Sequence, residues 1–390
     1  MRVLLAFDKF KDSLTAPAAC EIAATALAGS HPDWELDPCP LADGGEGFCD
    51  ILTRAAGGEI ETHPVTGPRG ARVAATIGLV PLARIPPAAR ALLAIDDPRP
   101  GAEGTDGRLA VIEMASASGL ALLAPDQRDP WHATTLGTGE LLRLAARPGV
   151  AAIVLGVGGS ATSELGLGAL AALGIEFRTA TGGLVMPPIP ARWDQIARLT
   201  GRLAPGLPPI RIACDVTNPL LGPRGAAAVY GPQKGLRPED FSRLDHAAAR
   251  LALMLCAHCG QPDSLMDTPG TGAAGGISFG LMVAAKARLL PGFDLVTAWL
   301  DLERRVAAAD IVITGEGRFD DSSLSGKGPG AVAARALALG KRVHVFAGQV
   351  AGTAPAGLSL HAITPAGTPI EDALRTAPAL LAAAVQRTMT

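Results

Sequence analysis

Five short apolar runs, each stopping at a glycine or an aspartate, constrain this chain more than any other feature. They are residues 3–7 before Asp8, 153–155 before Gly156, 210–213 before Asp215, 311–314 before Gly315 and 343–347 before Gly348. Apart from Arg211, His344 and the terminal Thr314, their hydrophobicity is continuous rather than alternating, which marks strands covered on both faces, as in parallel sheets. Helical patterns lie between many of them, at about 15–28, 139–147, 164–173, 238–259, 294–308, 329–339 and 370–387. Strands alternating with helices predict an α/β fold. Such folds bind ligands beyond the carboxyl ends of the strands, where these glycines and acids stand.

Composition narrows the function classes. A length of 390 residues suggests two domains, and a 48% apolar share is ample for a core. Only 18% of residues are charged, and 47 Gly with 32 Pro make up the difference. With 34 basic against 37 acidic residues there is no polybasic field, so nucleic acid and anionic membranes are not expected partners. No apolar run approaches the roughly 18 residues of a membrane span, and the opening run is too short for a signal peptide. The six cysteines lack framework spacing, which points to a reduced, cytoplasmic protein. Cys256-Ala-His258-Cys259 has no second ligand pair and reads as the end of a helix, with Gly260 beyond it. The stretch 81–107, rich in Pro, Ala, Gly and Asp, reads as a long surface loop.

Several loops could carry chemistry. Only six of the 34 basic residues are lysines, and four of these, Lys9, Lys11, Lys234 and Lys327, fall in strand-end or glycine-flanked loops. A compact ammonium there suits phosphate. Ala42-Asp43-Gly44-Gly45-Glu46-Gly47 sets two acids among three glycines, so that backbone can approach a ligand while acids hold a metal or a hydroxyl. Asp215 follows its strand directly, although a lone acid in that place is more often a cap. Gly156-Val-Gly158-Gly159-Ser160-Ala161-Thr162 offers N–H groups and hydroxyls ahead of a helix starting near Ser163, a layout that binds anions. The same segment fits a dinucleotide fingerprint, with Glu176 at the expected distance, and leaves an oxidoreductase as the rival reading. Gly270-Thr-Gly272-Ala-Ala-Gly275 matches that pattern too, without a clear strand before it. Thr314-Gly315-Glu316-Gly317-Arg318-Phe319-Asp320 repeats the theme of acids among glycines, and Ser325-Gly326-Lys327-Gly328 is only a partial phosphate loop. Phosphoryl transfer fits this set best: cradling donors, lysines, metal-holding acids and a carboxylate to steer a hydroxyl. A non-catalytic binding protein is the third class.

Taken in order, these loops resemble the bacterial glycerate kinases of type I. The match runs through Asp8-x-Phe10-Lys11-x-Ser13, Ala42-Asp43-Gly-Gly-Glu46-Gly47, Val65-Thr-Gly67-Pro68-Arg69-Gly70, Ile112-Glu113-Met-Ala-Ser116 and Thr134-Thr-Leu-Gly137-Thr138-Gly139-Glu140. It continues through Gly158-Gly-Ser160-Ala-Thr162, Asp215-Val-Thr-Asn218, Gly231-Pro-Gln233-Lys234-Gly235, Gly270-Thr-Gly272-Ala-Ala-Gly275 and Thr314-Gly-Glu316-Gly-Arg318-x-Asp320, then Gly326-Lys327. Four places depart from the family pattern, one of them the Pro-rich 81–107 stretch, which is longer than usual. Asp12 stands where a glycine is usual, Ser163-Glu164-Leu165-Gly166 where Asn-Asp-Gly-Gly is common, and Ser322-Ser323 where Gln-Thr is usual.

The resemblance implies ATP- and Mg2+-dependent phosphorylation of D-glycerate, most often to 2-phosphoglycerate, with 3-kinase regiochemistry as the alternative. It implies two α/β domains: a flavodoxin-like one with a mostly parallel sheet, built from 1–70 and 285–390, and an inserted one at 71–284. Substrate is expected in the cleft between them, and a homodimer is compatible with the pattern. Within that frame Asp8, Lys11, Ser13 and Arg69 are expected to bind substrate, and Asp43 or Asp215 to orient the attacking hydroxyl. Gly158, Gly159, Ser160, Thr162, Gly272 and Lys327 are expected to hold phosphates. Lys234 would offset the charge on the transferring group, and Glu316 or Asp320 would hold magnesium.

Overall fold

The computed structural model describes all residues other than 96–106, 321–322, 324–327, 352–354 and 390. The chain forms β1 (Arg2–Phe7), α1 (Ala16–Ser30) and β2 (Glu35–Pro38), then α2 (Phe48–Ala55) and the strands β3 (Glu59–Thr66) and β4 (Arg72–Pro81). Next come α3 (Pro87–Leu93), β5 (Arg108–Glu113), α4 (Ala115–Ser118), α5 (Leu136–Ala145), β6 (Val150–Gly156), α6 (Leu167–Ala172), β7 (Ile175–Arg178), β8 (Arg198–Gly201) and β9 (Ile210–Ala213). The helices α7 (Ala226–Tyr230), α8 (Phe241–Cys259) and α9 (Ile277–Ala285) lead to β10 (Arg288–Leu290) and α10 (Gly292–Trp299). The chain closes with α11 (Leu302–Ala308), β11 (Ile311–Phe319), α12 (Gly328–Ala338), β12 (Arg342–Val350), β13 (Leu358–Ala362) and α13 (Ile370–Met389).

Two compact units result: a terminal unit of 1–43 with 296–390, and an internal unit of 44–295. The internal unit begins earlier than residue 71. β3 pairs antiparallel with β4 along its whole length, so 59–66 belongs to the sheet of the internal unit. The stretch expected as one helix at 294–308 is two, α10 and α11, separated at Asp301, whose φ of 52° no helix interior accepts.

The terminal unit holds a five-stranded sheet in the order β13-β12-β11-β1-β2, parallel throughout. Renumbered within the unit, that order is 2-1-3-4-5, the flavodoxin-like arrangement, and its switch point lies between β1 and β11. β1 is almost wholly buried from Val3 to Phe7, as a strand covered on both faces must be. α1 starts where Thr15 Oγ1 accepts from Ala18 N–H, and it buries Ala16, Ala19, Cys20, Ala23 and Leu27 along one face.

The internal unit carries a six-stranded sheet, β10-β9-β6-β5-β4-β3, parallel from β10 to β5 and antiparallel beyond. β7 and β8 form a separate antiparallel pair. All six cysteines are free thiols, and Cys256 and Cys259 lie in the last turns of α8, closed by Gly260 at φ 64°. No helix among the described residues is long and apolar enough to cross a membrane.

Candidate active site

In the terminal unit the candidate acids Asp8, Asp43, Glu316 and Asp320 gather near the switch point. Asp8 follows β1, and its N–H donates to the Gly315 carbonyl of β11 (2.9 Å). Its Oδ1 accepts from Lys9 N–H (2.7 Å), and Lys9 Nζ pairs with Asp43 Oδ1 (3.2 Å). Glu316, on β11, is pushed up to about 7, first by burial and then by the carboxylates of Asp8, Asp320 and Asp43, against a lowering contact from Ser323. Its Oε1 is buried without a hydrogen-bond partner. Asp320 pairs with Arg318 (3.3 Å), and its N–H donates to Ser323 Oγ (3.2 Å). Asp8, Asp43, Glu316 and Asp320 therefore form one electrostatically coupled group.

Lys11 is exposed on the same unit. Ser13 is committed elsewhere: its hydroxyl donates to the Leu374 carbonyl of α13 (2.9 Å), which ties the turn after β1 to that helix. Asp12 adopts φ 61°, the left-handed region that explains why a glycine suits this place and which Asp tolerates better than most residues.

The internal unit supplies the second set. Lys234 ends the helical turn Pro232–Lys234 and is 1% exposed. Its Nζ donates to Ser160 Oγ (2.9 Å) and to the Thr162 carbonyl (2.6 Å). Burial by itself lowers it to about 7. Thr162 Oγ1 and Ser163 Oγ are buried without partners.

The glycines beside these residues serve packing more than cradling. Gly158 donates its N–H to the Gly44 carbonyl (2.9 Å), and a Cβ there would come within 2.6 Å of Gly45. The 44–47 and 156–159 loops can approach this closely only without side chains. Gly272 likewise gives its N–H to the Asn218 carbonyl (3.0 Å), and a Cβ would stand 2.2 Å from the Pro219 carbonyl. Neither N–H is thus left for phosphate. Gly159 keeps φ 71°, with Glu46 Oε1 close by.

Three acids accept hydrogen bonds from the starts of helices. Asp215 Oδ2 accepts from Phe293 N–H (3.0 Å) in the first turn of α10, the ordinary work of a strand-end aspartate. Glu113 accepts from the N–H groups of Gly47 (2.9 Å) and Cys49 (3.3 Å) and so anchors the start of α2. Glu164 is 0% exposed; its Oε2 accepts from Gly168 N–H (2.6 Å) in α6, and its Oε1 lies 2.5 Å from Thr135 Oγ1. Burial raises this acid to about 8. Because its carboxyl lies ahead of the helix, α6 begins at Leu167 and not near Ser163. Leu165 takes φ 60° where the family pattern has glycine.

Arg69 belongs to the internal unit, where it pairs with Asp129 (3.4 Å), itself bonded to His132 Nδ1 (2.6 Å). Lys11 and Arg69, both expected to bind substrate, lie on different units. Lys327 lies outside the described residues. The buried acids whose place at a helix start sequence reasoning did not assign are Glu113 and Glu164. Burial beside a helix start was their only signal, and it is not visible in a string of residues.

The dinucleotide rival fails on topology. In such a fold the strand after the glycine loop lies parallel beside the first. Here β6 is flanked by β5 and β9, and β7, with Glu176, pairs antiparallel with β8 in another sheet. Glu176 is held by Arg178 (2.7 Å) and Thr200 (2.8 Å).

A family model described as the glycerate kinase family matches residues 3–390. The chain belongs to the glycerate kinase family. It is 37% identical to a glycerate kinase of Bacillus subtilis, over 96% of this chain and 93% of that protein. It is 36% identical to the glycerate 2-kinase of Escherichia coli, over 90% and 86% respectively. A crystal structure described as a putative glycerate kinase 2 from Salmonella typhimurium superposes with a TM-score of 0.74 at 36% identity, covering 100% of this chain and 97% of the other. The protein is therefore a phosphotransferase, and a kinase family implies a nucleotide substrate.

Among the described residues no three His, Cys, Asp or Glu side chains converge closely enough to enclose a metal ion. What this glycerate kinase offers is an all-oxygen donor set with one orphaned buried oxygen, Glu316 Oε1, beside further carboxylates. That chemistry fits Mg2+, which keeps several waters and takes one or two carboxylates together with phosphate oxygens.

Proposed function

We propose that this glycerate kinase transfers the γ-phosphoryl group of ATP, as its magnesium complex, to D-glycerate. The observation that carries the reading is the buried Lys234 amine on Ser160 and Thr162, a cationic anchor under a loop of hydroxyls. Because Ser160 Oγ accepts from Lys234, its own proton is left to donate to a phosphate oxygen. The partnerless hydroxyls of Thr162 and Ser163 offer two more donors. Phosphoryl transfer asks for little else than positioning and fixed charge of this kind.

The acids of the terminal unit complete the mechanism. Asp43 accepts a hydrogen bond from the attacking hydroxyl and aims it, while Lys9 holds Asp43 in place (3.2 Å). Asp8 binds the acceptor and Lys11 neutralises its carboxylate. Glu316 and Asp320 would hold Mg2+, which when bound offsets charge on the phosphate chain. Arg69, set in the Asp129–His132 cluster, remains a cation for an anionic substrate group. The name of the Escherichia coli relative, a glycerate 2-kinase, supports the C2 hydroxyl as acceptor and 2-phosphoglycerate as product. Free thiols throughout support a reducing, cytoplasmic setting.

The test is ADP release on mixing the protein with ATP, magnesium and D-glycerate, followed by phosphorus NMR of the product. Glycerate-dependent release with phosphate on C2 is the expected result. Phosphate on C3 would overturn the regiochemistry, and no glycerate-dependent release would overturn the reading.

A further inference from the structure

Lys234 presents an electrostatic imbalance. Its amine is 1% exposed, yet both of its acceptors, Ser160 Oγ and the Thr162 carbonyl, are neutral. The charged groups on the elements around it are Glu46 near Gly159, Arg128 against Gly235, Glu164 two residues beyond Thr162, and Arg237 after the turn. Among the described residues none forms an ion pair with Lys234: Arg237 pairs with Asp240 (3.1 Å), and Glu164 caps α6. Burying an ammonium without a counter-charge is costly, so such a group tends to give up its proton. An amine with two donated bonds has no third N–H; an ammonium does. Two buried hydroxyls on the loop that holds its acceptors, Thr162 Oγ1 and Ser163 Oγ, also lack partners. The amine lacks a negative charge, and the loop it binds lacks hydrogen-bond acceptors.

We propose that an entering phosphate anion supplies the counter-charge that Lys234 lacks, so that nucleotide binding is coupled to uptake of a proton by its amine from solvent. The inference rests on the reading of loop 158–162 as the phosphate site and adds a linkage to it. Free, the amine titrates near neutral pH. With a polyanion beside it, the charged form is favoured and persists to higher pH. The step is a simple protonation: the Nζ lone pair takes a proton from water or buffer, and the new N–H faces the anion. By linkage, nucleotide affinity falls as pH rises above about 7, by up to about tenfold per pH unit until the bound-state pKa is reached.

The decisive experiment uses the whole protein with lysine labelled by 13C at Cε, titrated with and without magnesium adenylyl imidodiphosphate. The chain has six lysines, so the spectrum is simple. One signal is expected to titrate near pH 7 in the free protein, far below the usual lysine value of about 10.4, and to stay in its ammonium form past pH 8.5 in the complex. Calorimetry at pH 8 in two buffers of different ionisation heat should show uptake of about 0.5–1 proton, lost in Lys234→Arg, which is always charged. The labelled wild type decides the matter even where that variant does not fold. A nucleotide that binds and turns over while no lysine titrates near neutrality, or while the signal does not move on binding, overturns this inference and leaves the kinase reading standing. Failure of the nucleotide to bind at any pH overturns both.

Discussion

Lys234 Nζ and Ser160 Oγ lie 2.9 Å apart, in a part of the internal unit that solvent hardly reaches. The pair joins two loops 74 residues apart in sequence. Replacing Lys234 by Met keeps the volume and removes a costly charge. Turnover should fall roughly 10²-fold or more, because the charge that anchors the loop is gone. Stability should not fall with it. The folded amine lies at about 7 against an ordinary 10.5, so the wild type loses stability as pH falls from 10.5 toward 7. Lys234→Met should therefore melt at least as high as wild type at pH 6–7. A joint collapse of melting temperature and kcat would make Lys234 structural, and a loss confined to KM would make it a ground-state binder.

Asp43 is predicted to aim the acceptor. Asp43→Asn keeps the shape and removes the charge that pairs with Lys9. kcat should drop about 10²-fold with nucleotide affinity nearly intact. Unchanged turnover in a steady-state assay would take Asp43 out of the mechanism.

Glu164 should leave a pH signature on stability. Its folded pKa is raised to about 8 against an ordinary 4.5. The unfolded chain releases this proton first, so stability is fully present below pH 4.5 and declines as pH rises toward 8. Glu164→Gln can keep both contacts with Thr135 and Gly168 and has no proton to lose. It should melt near wild type at pH 5 and above it at pH 8. Glu164→Ala, which leaves the Gly168 N–H unpaired, should cost about 2–3 kcal/mol by chemical denaturation. Parallel pH curves for wild type and Glu164→Gln would refute the assignment.

Asp215 separates a cap from a catalyst. Asp215→Ala removes the acceptor for Phe293 N–H and should lower stability by about 1 kcal/mol. kcat should change by less than about threefold, a difference worth under 1 kcal/mol in the barrier. A loss of turnover near that of Asp43→Asn, with stability unmoved, would return Asp215 to the chemistry.

Much of the fold can be read from local pattern. The runs at 3–7, 153–155 and 311–314 announce strands because a strand buried on both faces needs an almost unbroken apolar stretch. The long helices at 16–30 and 241–259 announce themselves by their apolar faces and end signals. The 294–308 segment misleads because nothing local reveals the left-handed backbone of Asp301. The short helix after the 158–162 loop starts late because a buried carboxyl, not a surface cap, begins it.

The sequence by itself determined the α/β class, the family and the loops that matter, since those depend on residue types and their order. Only the tertiary structure decided which partners the polar groups in those loops take. A donor or acceptor takes whichever partner the packing brings within about 3 Å, and a buried one must find some partner. Thus Gly158 and Gly272 give their N–H groups to neighbouring carbonyls, Ser13 binds α13, and Asp215 and Glu164 cap helices. Lys234 is left buried with only neutral acceptors, because chain neighbours say nothing about distance from water.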